Sequence, residues 1–136
     1  MDTPSVTRTG TREYVADNGK GSTLEIGYGP GQFSPGDLLK LAVLGCNALS
    51  SDARFAKALG DDFELFGSIT AEYLQSEDRF TSFSVDLSPV MPFIDPEARE
   101  QLLRRASKAI GRNCTITHTV TQSAPVSLEI DGTPCD

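Results

Sequence analysis

Apolar positions along the chain pass from uneven alternation to a helical repeat and back, and each change of period predicts an element. Between Ser5 and Tyr28 the apolar members are Val6, Tyr14, Val15, Leu24, Ile26 and Tyr28. Asp17-Asn18-Gly19-Lys20-Gly21 supplies turn chemistry between the two halves, so a β-hairpin is expected. A loop with Gly27, Gly29, Pro30 and Gly31 then leads to Ser34-Pro35-Gly36-Asp37. Here Ser34 can cap a helix, Pro35 can occupy its first turn and Asp37 can complete a capping box. Leu38, Leu41, Ala42, Gly45, Cys46 and Leu49 share one stripe at helical spacing. Leu39, Val43 and Leu44 widen it until the segment is apolar on nearly every side, which predicts a central, buried helix. It is expected to continue through Asp52 and Phe55 to about Leu59 and to stop at Gly60.

Residues 63–75 and 80–88 read as two strands joined by a turn at Ser76-Glu77-Asp78, a second hairpin. Asp95-Pro96-Glu97 opens another helix, in which Ala98, Leu102, Leu103, Ala106, Ala109 and Ile110 form an apolar stripe ended by Gly111. Its other face carries Arg99, Glu100, Arg104, Arg105 and Lys108, a solvated set with Glu100 and Arg104 at helical i, i+4 spacing. Residues 114–120 fit either a strand or a short helical turn, and a last strand is expected from about Pro125 to Ile130. Hairpin, helix, hairpin, helix and strand in that order indicate an α+β fold rather than a parallel βαβ sheet. A helix apolar all round is hard to cover inside one domain, and homodimerisation would cover it.

The chain has 136 residues, of which 38% are hydrophobic, the amount of one domain (1–136) with a real core. A net charge of −7 argues against nucleic acid or an anionic membrane as partner, because both require a cationic surface. No apolar stretch approaches the roughly 20 residues of a membrane span, and Met1-Asp2-Thr3-Pro4 does not resemble a targeting segment. A cytoplasmic protein is expected. The three cysteines, Cys46, Cys114 and Cys135, fit no zinc spacing and no small secreted disulfide scaffold. They should therefore begin as thiols, with Cys135 an incidental residue at a fraying chain end.

Cys46 on the apolar helix is either a small core hydrophobe or a reactive sulfur. Reactivity requires a cation that lowers a thiol pKa of about 8.5, since a helix dipole has faded by mid-helix. Arg8 and Arg12, expected in the first strand, are the only arginines before this helix, and arginine keeps its charge when partly buried. Each is otherwise a solvated strand residue. Asp37 lies about 180° around the helix and roughly 13 Å from Cys46, which favours capping over acid–base work. His118, the only histidine, shares a face with Cys114 in either conformation and could donate a proton or ligate a metal. One histidine and one cysteine are too few donors for a stable zinc site.

The run Ser34-Pro35-Gly36-Asp37-Leu38-Leu39, then Leu44-Gly45-Cys46, then a second cysteine after an amphipathic helix, resembles the OsmC/Ohr family of organic hydroperoxide reductases. The resemblance spans nearly the whole chain. It implies an α+β fold in which two chains intertwine, with curved sheets around two central helices and sites at the dimer interface. It further implies that Cys46 is the peroxidatic residue, Cys114 the resolving one, and Arg12 the arginine that stabilises the thiolate. Two departures mark a divergent branch. Gly36 stands where the hydroperoxide-resistance branch has a glutamate that tethers the arginine, and Cys114 is followed by Thr115-Ile116-Thr117 in place of Pro-x-Ser.

The expected chemistry is reduction of an organic hydroperoxide by Cys46, condensation of its sulfenic acid with Cys114, and reopening of the disulfide by a cellular dithiol. Phe33, Leu39, Phe55 and Phe93 are candidate pocket residues for an apolar peroxide. Sulfur supplies both electrons, so no haem, flavin or metal cofactor is needed. The competing reading is a non-catalytic OsmC-fold binding or structural protein whose thiols are core residues, and a third is a Cys/His metal module.

Overall fold

A computed structural model describes residues 3–135, which divide into two compact units. One comprises the chain up to Leu44 together with Ser68–Asp86, and the other comprises Gly45–Gly67 together with the chain from Leu87 onward. Two elements, the long helix α1 (Pro35–Leu59) and the hairpin of β4 (Leu65–Leu74) and β5 (Arg79–Pro89), contribute to both.

The first unit holds an antiparallel sheet of β1 (Ser5–Gly10), β2 (Glu13–Asp17) and β3 (Thr23–Ile26) in that order. Three strands therefore replace the expected single hairpin. The β2–β3 turn is the one read from Asp17-Asn18-Gly19. Asp17 Oδ1 accepts from the Gly19 N–H at 2.7 Å, and Asn18 Oδ1 accepts from Lys20 N–H at 2.8 Å and Ser22 N–H at 3.1 Å. The β1–β2 turn is tighter, with only Thr11 and Arg12 between the paired Gly10 and Glu13. Arg12 adopts a left-handed φ of 57°, a conformation that hairpin turns require and arginine seldom supplies, so composition concealed this turn. Arg12 thus lies in a turn and not in the first strand, where Arg8 does lie.

Helix α1 starts as expected. Ser34 Oγ accepts from the Asp37 N–H and Asp37 Oδ2 accepts from the Ser34 N–H, both at 3.0 Å, a reciprocal capping box. The Ser34 backbone N–H and the Ser34 side chain together hold the Asp37 carboxyl below its ordinary range, with slight desolvation opposing and Lys40 assisting. The helix ends where Gly60 takes φ 100° while its N–H reaches the Ala56 carbonyl at 2.8 Å. Its burial is one-sided: Val43, Ser51 and Phe55 are inside, whereas Leu41 and Leu49 are exposed. Within the first unit, Gly36 faces the ring of Phe80, which meets Tyr73 edge-on and Phe83 at a tilt.

The second unit is built on α2 (Pro96–Asn113), whose Leu102, Ala106 and Ala109 recur at helical spacing and are buried. Leu102 and Ala106 pack with Phe55 into a core flanked by Leu59, Phe63, Leu65, Met91, Ile94 and Leu103. Gly111 does not end α2, which runs on to Asn113. Residues 114–120, open between strand and helix, form the short helix α3 (Thr115–Val120). The terminal strand is shorter than expected, β6 (Leu128–Ile130), and it pairs with β7 (Thr133–Cys135) across an Asp131-Gly132 turn whose φ values are both positive. Cys135 therefore belongs to a hairpin. These antiparallel pairs and helices constitute the α+β class expected from the order of elements.

Candidate functional site

Cys46 and Cys114, 68 positions apart, come together in the second unit, their thiols within hydrogen-bonding reach of one another. Both are free thiols. Cys46 is carried by α1 and is half-buried, whereas Cys114 is the residue between α2 and α3 and is fully buried. The break between these helices places its sulfur. The Cys114 N–H still bonds the Ile110 carbonyl at 3.0 Å, yet its ψ of 91° turns the chain so that α3 starts on a new axis.

Around the Cys114 sulfur the donors converge. The Asn47 side-chain amide donates to Sγ at 3.2 Å and to Thr117 Oγ1 at 3.1 Å. Thr117 Oγ1 is 3.1 Å from Sγ, and the Thr117 N–H points at it from 3.4 Å. Burial pushes the Cys114 thiol up, but the bonds from the Thr117 hydroxyl, the Cys46 thiol, the Thr117 N–H and the Asn47 amide together outweigh it and hold it below its ordinary value. Asn47 was not singled out from sequence. The usable signal was a polar side chain one residue after the helical cysteine, inside an otherwise apolar run.

Arg12 belongs to the first unit, where its guanidinium lies over the ring of Tyr28 at 5.3 Å. Arg8 and Arg12 line one hollow of 500 Å³ there with Thr11, Tyr14, Tyr28 and Pro35. Gly36, where the resemblance places a larger side chain, lies close under the Phe80 ring. A Cβ there would lie 3.1 Å from Phe80 Cζ and the ring would have to give way.

His118 donates its Nε2–H to the Gly111 carbonyl at 2.8 Å, which commits the ring to the end of α2. Among the described residues no group of three or more His, Cys, Asp or Glu is placed to hold a metal. The residues expected to line a pocket separate in the second unit. Phe55 is core, 5.9 Å from Phe63 between ring centres, whereas Phe93 is exposed and borders a 560 Å³ hollow with Leu59, Val90 and Met91. Cys135 donates to its neighbour Thr133 O at 3.4 Å within the terminal hairpin. No helix among the described residues is long and apolar enough to cross a membrane.

Uncharacterized proteins of Mycobacterium tuberculosis (strain ATCC 25618 / H37Rv) and Mycobacterium bovis are each 28% identical to the chain over 127 residues, covering 92% of it and 93% of the relative. No protein-family model matches. Among solved structures, an OsmC-like protein of unknown function from Vibrio cholerae superposes with a TM-score of 0.67 at 13% identity, covering 87% of this chain and 92% of that one. A hypothetical protein from Aquifex aeolicus VF5 gives 0.64 at 11% identity over 89% and 87%. At such identities the likeness is one of backbone architecture, and it agrees with the order of hairpins and helices. The chain therefore has the OsmC-like fold.

Proposed function

We propose that the protein is a cysteine-based peroxidase that reduces organic hydroperoxides, working as one 136-residue domain in a homodimer and recycled by a dithiol in a reducing cytosol. The observation that carries this reading is the approach of Cys46 and Cys114 to hydrogen-bonding distance from opposite ends of the chain. Two buried or half-buried thiols poised in this way can exchange two electrons with a substrate and store the result as a disulfide. The Cys46 thiolate attacks the hydroxyl oxygen of the hydroperoxide, the O–O bond breaks, and an alcohol leaves with the electron pair and a proton. Cys114 then attacks the resulting sulfenic acid, and hydroxide leaves as the S–S bond forms. An external dithiol returns both electrons.

Accessibility supports this division of labour, because the half-buried Cys46 is the sulfur that a substrate can meet. Arg12, or its neighbour Arg8 in the same hollow, is assigned to stabilising charge on the peroxide oxygens. Such a guanidinium stays charged at every relevant pH.

The test is incubation of the reduced protein with cumene hydroperoxide while free thiols and residual peroxide are followed. Loss of two thiols per chain at the expense of one peroxide is expected, with Cys46→Ser blocking consumption. Cys114→Ser lacks the second sulfur and should form no disulfide within the chain, so that any peroxide it consumes leaves a Cys46 sulfenic acid that dimedone traps. Thiols that stay inert in a folded protein would instead identify a binding or structural role.

A further inference from the structure

The arrangement of donors around the two sulfurs says where their shared proton sits. An amide nitrogen only donates, so both N–H bonds of Asn47 are directed, one to Cys114 Sγ and one to Thr117 Oγ1. The 3.1 Å bond between Sγ and Thr117 Oγ1 runs from the thiol to the hydroxyl while Cys114 is protonated, and the hydroxyl can reverse it toward a thiolate, its oxygen still accepting from Asn47. The Thr117 backbone N–H and the Cys46 thiol supply two more donors. A Cys114 thiolate would thus have four donors within reach of one fully buried sulfur, none of them charged. That is a surplus for a neutral thiol, which accepts weakly, and a fitting shell for an anion.

The ionisable side chains nearest Cys114 along the chain are directed elsewhere. His118 on α3 is committed to Gly111 O, and Arg112 in the last turn of α2 is exposed. Asn47 is supplied by α1 itself, one residue after Cys46, so the helix that holds the half-buried sulfur also supplies a donor to the buried one.

We infer that in the reduced protein the proton shared by the pair rests on Cys46 and the negative charge on Cys114, held there by Asn47 and Thr117, so that the Cys114 thiolate is the base that activates Cys46. The catalytic half of this inference rests on the peroxidase reading above; the placement of charge does not. The Cys114 thiolate takes the Cys46 proton as the peroxide arrives, leaving a Cys46 thiolate and a Cys114 thiol. The Cys46 sulfur forms its bond to the hydroxyl oxygen, and the departing alkoxide is protonated at the expense of the Cys114 thiol. Cys114 is then a thiolate again and displaces hydroxide from the Cys46 sulfenic acid. The thiol pair loses two electrons and the peroxide gains two. Asn47 and Thr117 are positioning residues, since neither touches the substrate.

The experiment is an ultraviolet thiolate titration of the reduced, full-length protein, every variant carrying Cys135→Ser so that only the pair reports. One thiolate per chain is expected at neutral pH. It should persist in Cys46→Ser, whose hydroxyl still donates, and disappear in Cys114→Ser. Thr117→Val and Asn47→Ala should each change the thiolate-to-thiol ratio about tenfold, read as a titration midpoint raised by about one pH unit, in line with loss of a hydrogen bond to a charged group. Thr117→Ser should restore it, which separates the hydroxyl's role from packing. A thiolate that survives Cys114→Ser and vanishes in Cys46→Ser, or one indifferent to both Thr117→Val and Asn47→Ala, overturns the inference. The titration uses no peroxide, so its outcome stands apart from whether the protein turns peroxides over.

Discussion

At the scale of single residues the decisive contrast is between two cysteines with different surroundings. Cys114 has its pKa lowered in the fold because hydrogen bonds outweigh burial. A depressed folded-state pKa contributes stability above the unfolded-state value and loses it as pH falls through the folded-state value. Reduced protein should therefore lose denaturation midpoint on acidification through that window, and Cys114→Ser should lose less across the same window; urea melts at stepped pH would show it. Asp37 obeys the same sign at more acidic pH, because its capping bonds stabilise the carboxylate. Its contribution is complete above the ordinary carboxylate range and fades below it, so Asp37→Asn should flatten the acid limb of the stability curve. Ser34→Ala removes the other half of the box and should cost about 1 kcal/mol in a denaturant titration.

At the scale of elements, α1 does two jobs in one continuous run of 25 residues. Its N-terminal end is fastened by the capping box, and its later turns deliver Cys46, Asn47 and Phe55 to the second unit. At about 1.5 Å per residue, Phe55 follows Cys46 by roughly 14 Å, so the sulfur and the core anchor are rigidly related. The anchor is the Phe55–Leu102–Ala106 cluster. Leu102→Ala should leave a cavity there and cost about 2–5 kcal/mol in chemical denaturation. The same substitution should loosen the α2 end that presents Cys114 and slow disulfide closure after oxidation, as measured by rapid quench.

At the scale of the whole molecule, large apolar side chains remain exposed. Leu49 on α1 is 79% exposed and Phe66 on β4 74%. Exposed apolar side chains of this size on regular elements suit contact with another copy. The proposed homodimer should sediment at twice the 14.6 kDa chain mass, and Leu49→Glu should move it toward the single-chain mass without abolishing helicity. A species at the single-chain mass for the unaltered protein would remove the dimer from the proposal.

Much of the architecture could be read before any coordinates. Helix starts and stops are local chemistry: a serine, a proline and an aspartate in the right four positions suffice, and Gly60 supplies the left-handed stop because it alone carries no Cβ. The Asp17–Gly21 turn is local in the same sense. The Thr11-Arg12 turn and the Asp131-Gly132 hairpin were harder to read. Arginine rarely takes φ 57°, and strands of three residues give too little alternation to detect.

The two long helices, the start of the first and the Asp17–Gly21 turn were thus determined by the sequence itself, since they depend on residues a few positions apart. The tertiary structure alone decided which sulfur is accessible and which is enclosed, and that Asn47 reaches across 67 positions to Cys114. Packing also gave Gly36 its reason, through the Phe80 ring above it. Donor number, burial and steric room are properties of space filled by distant segments, and no window along the chain contains them.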